Sequence, residues 1–133
     1  MDFEAATILI AVGDGVLADS LRFSLELEGF AVKLCDEYSL LSEAAANGSP
    51  RCLVLDNGVF TRMLDSSGGR LFTEFGIPVV LLVGLKNERT LARAKDAGVT
   101  KVLEQPLLGA TLCDAIGAAF DECRLSHKVP RPS

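Results

Sequence analysis

A chain of 133 residues predicts one domain, long enough to bury a core without disulfide or metal staples. Apolar residues at 49% and charged residues at 23% exclude a disordered chain, and thirteen Lys plus Arg against eighteen Asp plus Glu, net −5, argue against direct nucleic-acid contact. No apolar run nears the roughly 18 residues of a membrane span, and the acidic start Met1-Asp2-Phe3-Glu4 lacks the base of a secretory signal, so the chain is expected in the cytoplasm.

Five short apolar runs alternate with helical periodicity. The first strand is expected over Thr7–Val12, followed by a helix from about Val16 to Glu28, with Leu17, Leu21 and Leu25 on one face and Gly29 as a left-handed stop. A second strand over Phe30–Cys35 leads to a helix from Tyr38 to Ala46, ended by Asn47-Gly48. The third strand is Cys52–Leu55. The third helix is the least defined, because Asp65-Ser66-Ser67-Gly68-Gly69 interrupts Thr61–Phe75. Pro78–Val83 is the fourth strand, followed by a helix from Asn87, its N-cap, to Ala97, with Gly98 at the stop. After Thr100–Lys101–Val102–Leu103 comes the clearest helix, in which Leu112, Ala115, Ile116, Ala119, Phe120 and Cys123 keep 3.6-residue spacing.

The domain is expected to span residues 1–124, with 125–133 a basic tail or the start of a linker. Cys35, Cys52, Cys113 and Cys123 form no Cys-x-x-Cys pair, and the single histidine, His127, lies in that tail. The cysteines therefore read as small hydrophobes in a reducing compartment.

Three of the strands are apolar at nearly every position, as strands covered on both faces of a parallel sheet must be. Five βα units of this kind predict a flavodoxin-like, doubly wound α/β fold with a five-stranded parallel sheet, in which ligands collect at the carboxyl ends of the strands. Chemistry is therefore sought just after each strand. Asp56 is the sharpest feature there, although Asp56-Asn57-Gly58 is also ordinary turn and helix-capping chemistry.

The chain resembles the receiver domain of two-component response regulators (the CheY-like family) over about residues 7 to 124. The segments that carry the likeness are Ile8-Leu9-Ile10, Ser20-Leu21, Leu27-Glu28-Gly29-Phe30, Cys52-Leu53-Val54-Leu55-Asp56, Ile77-Pro78-Val79-Val80, Ala94-Lys95-Asp96-Ala97-Gly98 and Leu103-Glu104-Gln105-Pro106-Leu107. The resemblance implies a non-enzymatic signalling domain of a phosphorelay, with Asp56 at the phosphoacceptor position and a histidine kinase or another signalling protein as partner. It also implies a homodimer through the face formed by the fourth helix, fifth strand and fifth helix, where Arg89, Arg93 and Lys101 mix with Asp96, Asp114 and Asp121.

Other family positions are altered. The acidic pair that holds Mg²⁺ in the family falls on Val12 and Gly13, with Asp14 one residue later. The hydroxyl position after the fourth strand falls on Val83, the lysine position on Gln105 and the aromatic switch position on Val102. Phosphoryl transfer to a carboxylate needs a cation to neutralise the accumulating charge, and Mg²⁺ needs oxygen donors. Asp14 and Asp56, with the Gly58 carbonyl, are the donors that remain. The expected protein is a degenerate receiver, or pseudo-receiver, that works by protein contacts with weak or no aspartyl phosphorylation.

A different class competes for the same loop. Gly13-Asp14-Gly15-Val16-Leu17-Ala18 fits G-x-G-x-x-A, and Asp36 with Glu37 ends the second strand. Together they match a nucleotide or dinucleotide site using Gly13, Gly15 and Ala18, with the pyrophosphate on the helix N-terminus. A phosphoaspartyl hydrolase motif fails at Gly58, where a second aspartate would be needed.

Overall fold

The computed structural model describes residues 6–45, 51–67, 72, 76–107 and 110–128. Five parallel strands alternate with five helices: β1 (Thr7–Ala11), α1 (Gly15–Leu27), β2 (Ala31–Leu34), α2 (Leu40–Ala45), β3 (Arg51–Asp56), α3 (Asn57–Ser67), β4 (Val79–Val83), α4 (Glu88–Ala97), β5 (Lys101–Glu104) and α5 (Thr111–Lys128). The strand order is β2-β1-β3-β4-β5, the doubly wound order expected from the alternation. Register is set so that Ala11 lies beside Leu55, Asp56 beside Leu82 and Val83 beside Glu104. The carboxyl ends of the four strands β1, β3, β4 and β5 therefore meet along one edge.

The three strands with unbroken apolar runs are the three in the middle. Every residue of β4 is buried, as are Ile8–Ala11 of β1 and Cys52–Leu55 of β3. Of the edge strands, β2 is open to solvent over most of its length and β5 is half-buried up to its exposed end at Glu104. The sheet divides the interior into two apolar layers. Leu9, Leu53, Leu55, Phe60, Leu81 and Ala94 pack on one side; Ile8, Ile10, Leu25, Val54, Leu82 and Ile116 pack on the other. Among the described residues no polar or charged side chain is buried.

The stops expected at Gly29 and Gly98 are present with φ of 98° and 92°, a region that glycine enters without the Cβ penalty. At the end of α1, Phe30 N–H donates to Leu25 O and Gly29 N–H to Glu26 O, both at 3.1 Å, the paired bonds that close a helix on a left-handed residue. α4 ends the same way, with Val99 N–H on Ala94 O and Gly98 N–H on Lys95 O. Asn87 caps α4 by accepting Thr90 N–H at 2.8 Å.

One expectation is corrected, and one segment gains detail. The third helix begins at Asn57 and runs to Ser67, earlier than Thr61, because Asp56 supplies the cap that the Asp-Asn-Gly turn chemistry disguised. The fifth helix continues to Lys128, so the first residues assigned to the basic tail are helical, while 129–133 lie outside the described residues. The stop expected at Asn47-Gly48 also lies outside them. Cys52 is fully buried in the apolar layer, and burial pushes its thiol far above the ordinary range. All four cysteines are free. No helix among the described residues is long and apolar enough to cross a membrane.

Leu81 lies in the middle of β4 with no exposed surface. Leu81→Ala is expected to lower unfolding free energy by about 2–5 kcal/mol in urea titration, whereas Leu85→Ala, at a side chain 70% exposed, should change it by less than about 0.5 kcal/mol.

Candidate functional site

The carboxyl edge is built from βα turns, and an Asx side chain sits in each of the first four. Asp14, just before α1, accepts Val16 N–H at 2.9 Å and Leu17 N–H at 3.2 Å through one oxygen. Asp36 accepts Tyr38 N–H at 3.0 Å and Ser39 N–H at 2.8 Å, closing the turn into α2. These bonds, from the Ser39 backbone first and then its hydroxyl, hold the Asp36 carboxyl below the usual aspartate value. Asp56 and Asn87 do the same for α3 and α4. A side-chain acceptor at the helix start satisfies N–H groups that have no carbonyl partner, and a carboxylate also answers the positive end of the helix dipole.

Asp56 does more than cap. Its Oδ1 accepts Val59 N–H at 2.8 Å, and its Oδ2 accepts Gly13 N–H, also at 2.8 Å, from the loop after β1. One half-buried carboxylate thus joins the β1–α1 loop to the first turn of α3. A Cβ placed on Gly13 would lie 3.5 Å from Asp56 Oδ2. Position 13 therefore faces the carboxylate directly, and its own residue offers no side chain.

A cation reaches this edge from α3. Arg62 Nε donates to Glu37 Oε1 at 2.6 Å, and a Cβ at Gly58 would lie 3.5 Å from Asp56 Oδ1 and 3.6 Å from an Arg62 terminal nitrogen. The guanidinium pKa is raised by the Glu37 hydrogen bond first, then by the Glu37 charge, with a smaller contribution from Asp56. Arg62 and Glu37 as a pair were invisible in the sequence. They are 25 residues apart, Glu37 in the turn after β2 and Arg62 within α3, so only the topology brings them together.

The remaining expected positions, Val83, Gln105 and Val102, lie at or near the ends of β4 and β5, next to the end of β3. Val83 is 2% exposed and belongs to the apolar layer that includes Phe60 and Leu81. Val102 packs against the same layer. Gln105 is fixed through its backbone, its N–H donating to Val83 O at 2.8 Å, ahead of a cis Gln105–Pro106 bond. The loop after β4 is held instead by Glu104, whose Oε2 accepts Lys86 N–H at 3.2 Å.

Two readings of the edge change as a result. The suggested pairing of Asp14 with Asp56 around Mg²⁺ does not fit. Val12 and Gly13 carry no side-chain oxygen, Asp14 is turned onto its own helix, and both Asp56 oxygens accept backbone N–H groups. Among the described residues no three His, Cys, Asp or Glu side chains are grouped as a metal ion would need. The dinucleotide reading of Gly13, Gly15 and Ala18 loses its donors as well. The amides of Val16 and Leu17, which would cradle a pyrophosphate, are taken by the Asp14 carboxylate. Asp36 is folded onto its own turn and Glu37 is paired with Arg62.

No protein-family model and no curated protein matches the chain. Solved structures do. The FixJ-N crystal structure is 22% identical with a TM-score of 0.68, covering 99% of each chain. A response regulator receiver domain protein from Clostridium thermocellum is 18% identical with a TM-score of 0.69, over 91% of this chain and 98% of that one. A structure named as adenylate cyclase from Rhodopirellula baltica is 19% identical with a TM-score of 0.66, over 92% of each. These neighbours superpose over nearly the whole chain, and the fold of this chain is that of a response regulator receiver domain.

Proposed function

We propose that this chain is an atypical receiver module of two-component signalling that works by protein–protein contacts and not by efficient aspartyl phosphorylation. The observation that carries the reading is the double engagement of Asp56. Its two oxygens accept Gly13 N–H and Val59 N–H, in a pocket where Val12, Gly13 and Val83 offer no side-chain oxygen and Gln105 no charge. A phosphoryl group arriving at such a carboxylate would bring negative charge with no metal-binding pair to neutralise it. Nor would it meet a hydroxyl at position 83 that could draw the β4–α4 loop inward.

In this reading Asp56 is a structural tie and Arg62 is its standing countercharge. The partner is a histidine kinase or another signalling protein, met in the cytoplasm without nucleic-acid contact by this domain, and the chain acts as a binding module with no catalysis of its own. Two-component receivers assemble through surfaces, and a module whose edge is already locked can present one surface constitutively.

Amide NMR tests this directly. Adding Mg²⁺ and then beryllofluoride, a stand-in for the phosphoryl group on aspartate, is expected to leave Asp56, Val83 and Gln105 unshifted. A cluster of shifts at those residues spreading into α4 would overturn the reading.

The site's geometry also predicts how it can be reversed. Gly13 is not among the positive-φ glycines, and its Cβ direction faces Asp56. Gly13→Asp should therefore set two carboxylates together, lowering Tm in EDTA and raising it again with millimolar Mg²⁺, while the unsubstituted protein shows no Mg²⁺-dependent change. If Asp56 is a tie, Asp56→Ala should cost about 1–3 kcal/mol in urea unfolding through the lost cap and the stranded Gly13 N–H. A cost near zero would remove the structural role.

A further inference from the structure

Helix α1 is apolar on both sides. Its inner face buries Ala18, Leu21 and Leu25. On the outside Val16 is 81%, Phe23 65% and Leu27 71% exposed. At 3.6 residues per turn these three fall within about 40° of one another, on the side opposite the buried stripe, with Ser20 between them. A helix covered on one side only carries polar residues on the other. An outward row of Val, Phe and Leu is the pattern of a helix covered twice, and exposed apolar side chains grouped on one face mark a contact site.

We infer that this outward face of α1 is a self-association surface, occupied by the same face of a second copy of this chain across a two-fold axis. The pattern is complementary to itself. In a two-fold contact residue i meets j and j meets i. An antiparallel register that sets Phe23 opposite Ser20 of the second copy also sets Val16 opposite its Leu27, so the largest side chain meets the smallest. The same register brings Arg22 within reach of Asp19 of the second copy, and Asp19 within reach of its Arg22. In the single chain these two groups form only a 3.6 Å pair at the surface, with side chains 45% and 67% exposed. A cavity of about 310 Å³ between α1 and α5, lined by Ser24, Leu27, Leu112 and Cys113, opens beside Leu27 and extends the apolar surface where Val16 of the second copy would sit.

The contact is small. A 13-residue helix is about 20 Å long, and one such face buries less than the roughly 800 Å² per partner of a standard interface. The dimer is therefore weak and concentration-dependent. Phe23 and Leu27, which carry most of this surface, lie about two and three turns along α1 from the Asp56 edge, so its test stands apart from the test of the phosphorylation reading.

Sedimentation equilibrium over a wide concentration range is the experiment. The chain should move from monomer toward twice the monomer mass as concentration rises. Phe23→Glu should weaken association by about tenfold or more with Tm unchanged, since the side chain is exposed, and Leu91→Glu on α4 should leave association as it was. Asp19→Arg and Arg22→Asp should each weaken the dimer, and the double exchange should restore it. A monomer at every concentration would leave the face to a partner of different chemistry and overturn the inference. So would a dimer that survives Phe23→Glu, or one that is lost in Leu91→Glu.

Discussion

The middle strands β1, β3 and β4 have no face in water, and that single constraint sorts the rest of the molecule. Because parallel strands are joined by helices that cover both faces of the sheet, every side chain in the strand interiors must be apolar. No polar or charged side chain is buried among the described residues. Polar chemistry is expelled to the strand ends, and at the carboxyl edge the βα turns concentrate it. Asp14, Asp36, Asp56, Asn87 and Glu104 all lie there, together with the Arg62 that reaches up from α3.

What those groups do is set by which positive partner is nearest. At this edge the nearest partners are helix N-termini. Asp14 takes two N–H groups of α1, Asp56 takes one of α3 and one from the β1–α1 loop, and Asp36 takes two from the turn into α2. A carboxylate held by oriented N–H groups already has hydrogen-bond donors on its oxygens. It has less to gain from a metal ion, and an incoming anion would have to displace or share donors already engaged. The same acidic edge that could have formed a cation site is used for capping.

Much of this was legible along the chain, because the signals are local. Gly29 and Gly98 stop their helices where the sequence places stops, Asn87 caps where an Asx precedes a helical run, and the three longest apolar runs are the three central strands. The start of α3 was hidden because Asp-Asn-Gly serves turns and caps alike, and only the Val59 N–H bond distinguishes them. Asp14 was ambiguous for a related reason. One residue in a G-x-G loop can face a neighbouring strand end or its own helix, and the choice depends on a side-chain torsion that spacing does not encode. Long-range pairs were out of reach altogether: Arg62 with Glu37, and Gly13 N–H with Asp56, depend on which βα units the topology makes adjacent.

The same reasoning explains why α1, and not a sheet edge, carries the surface apolar enough to associate. An open edge strand is a template for pairing with another chain, and charges blunt it. β2, at one edge, carries Lys33 paired with Glu43 of α2 at 2.8 Å, and β5, at the other, carries Lys101 paired with Glu122 of α5 at 3.1 Å. Exposed pairs of this kind add little stability, yet each sets a lysine on an edge strand and fixes it against a neighbouring helix. With both edges guarded by charge, the outward row of Val16, Phe23 and Leu27 stands out as apolar surface without such protection. Folding does not require these three residues, since the inner face of α1 already supplies Ala18, Leu21 and Leu25 to the core. Their apolar character is therefore explained by contact outside the fold and not by the packing within it.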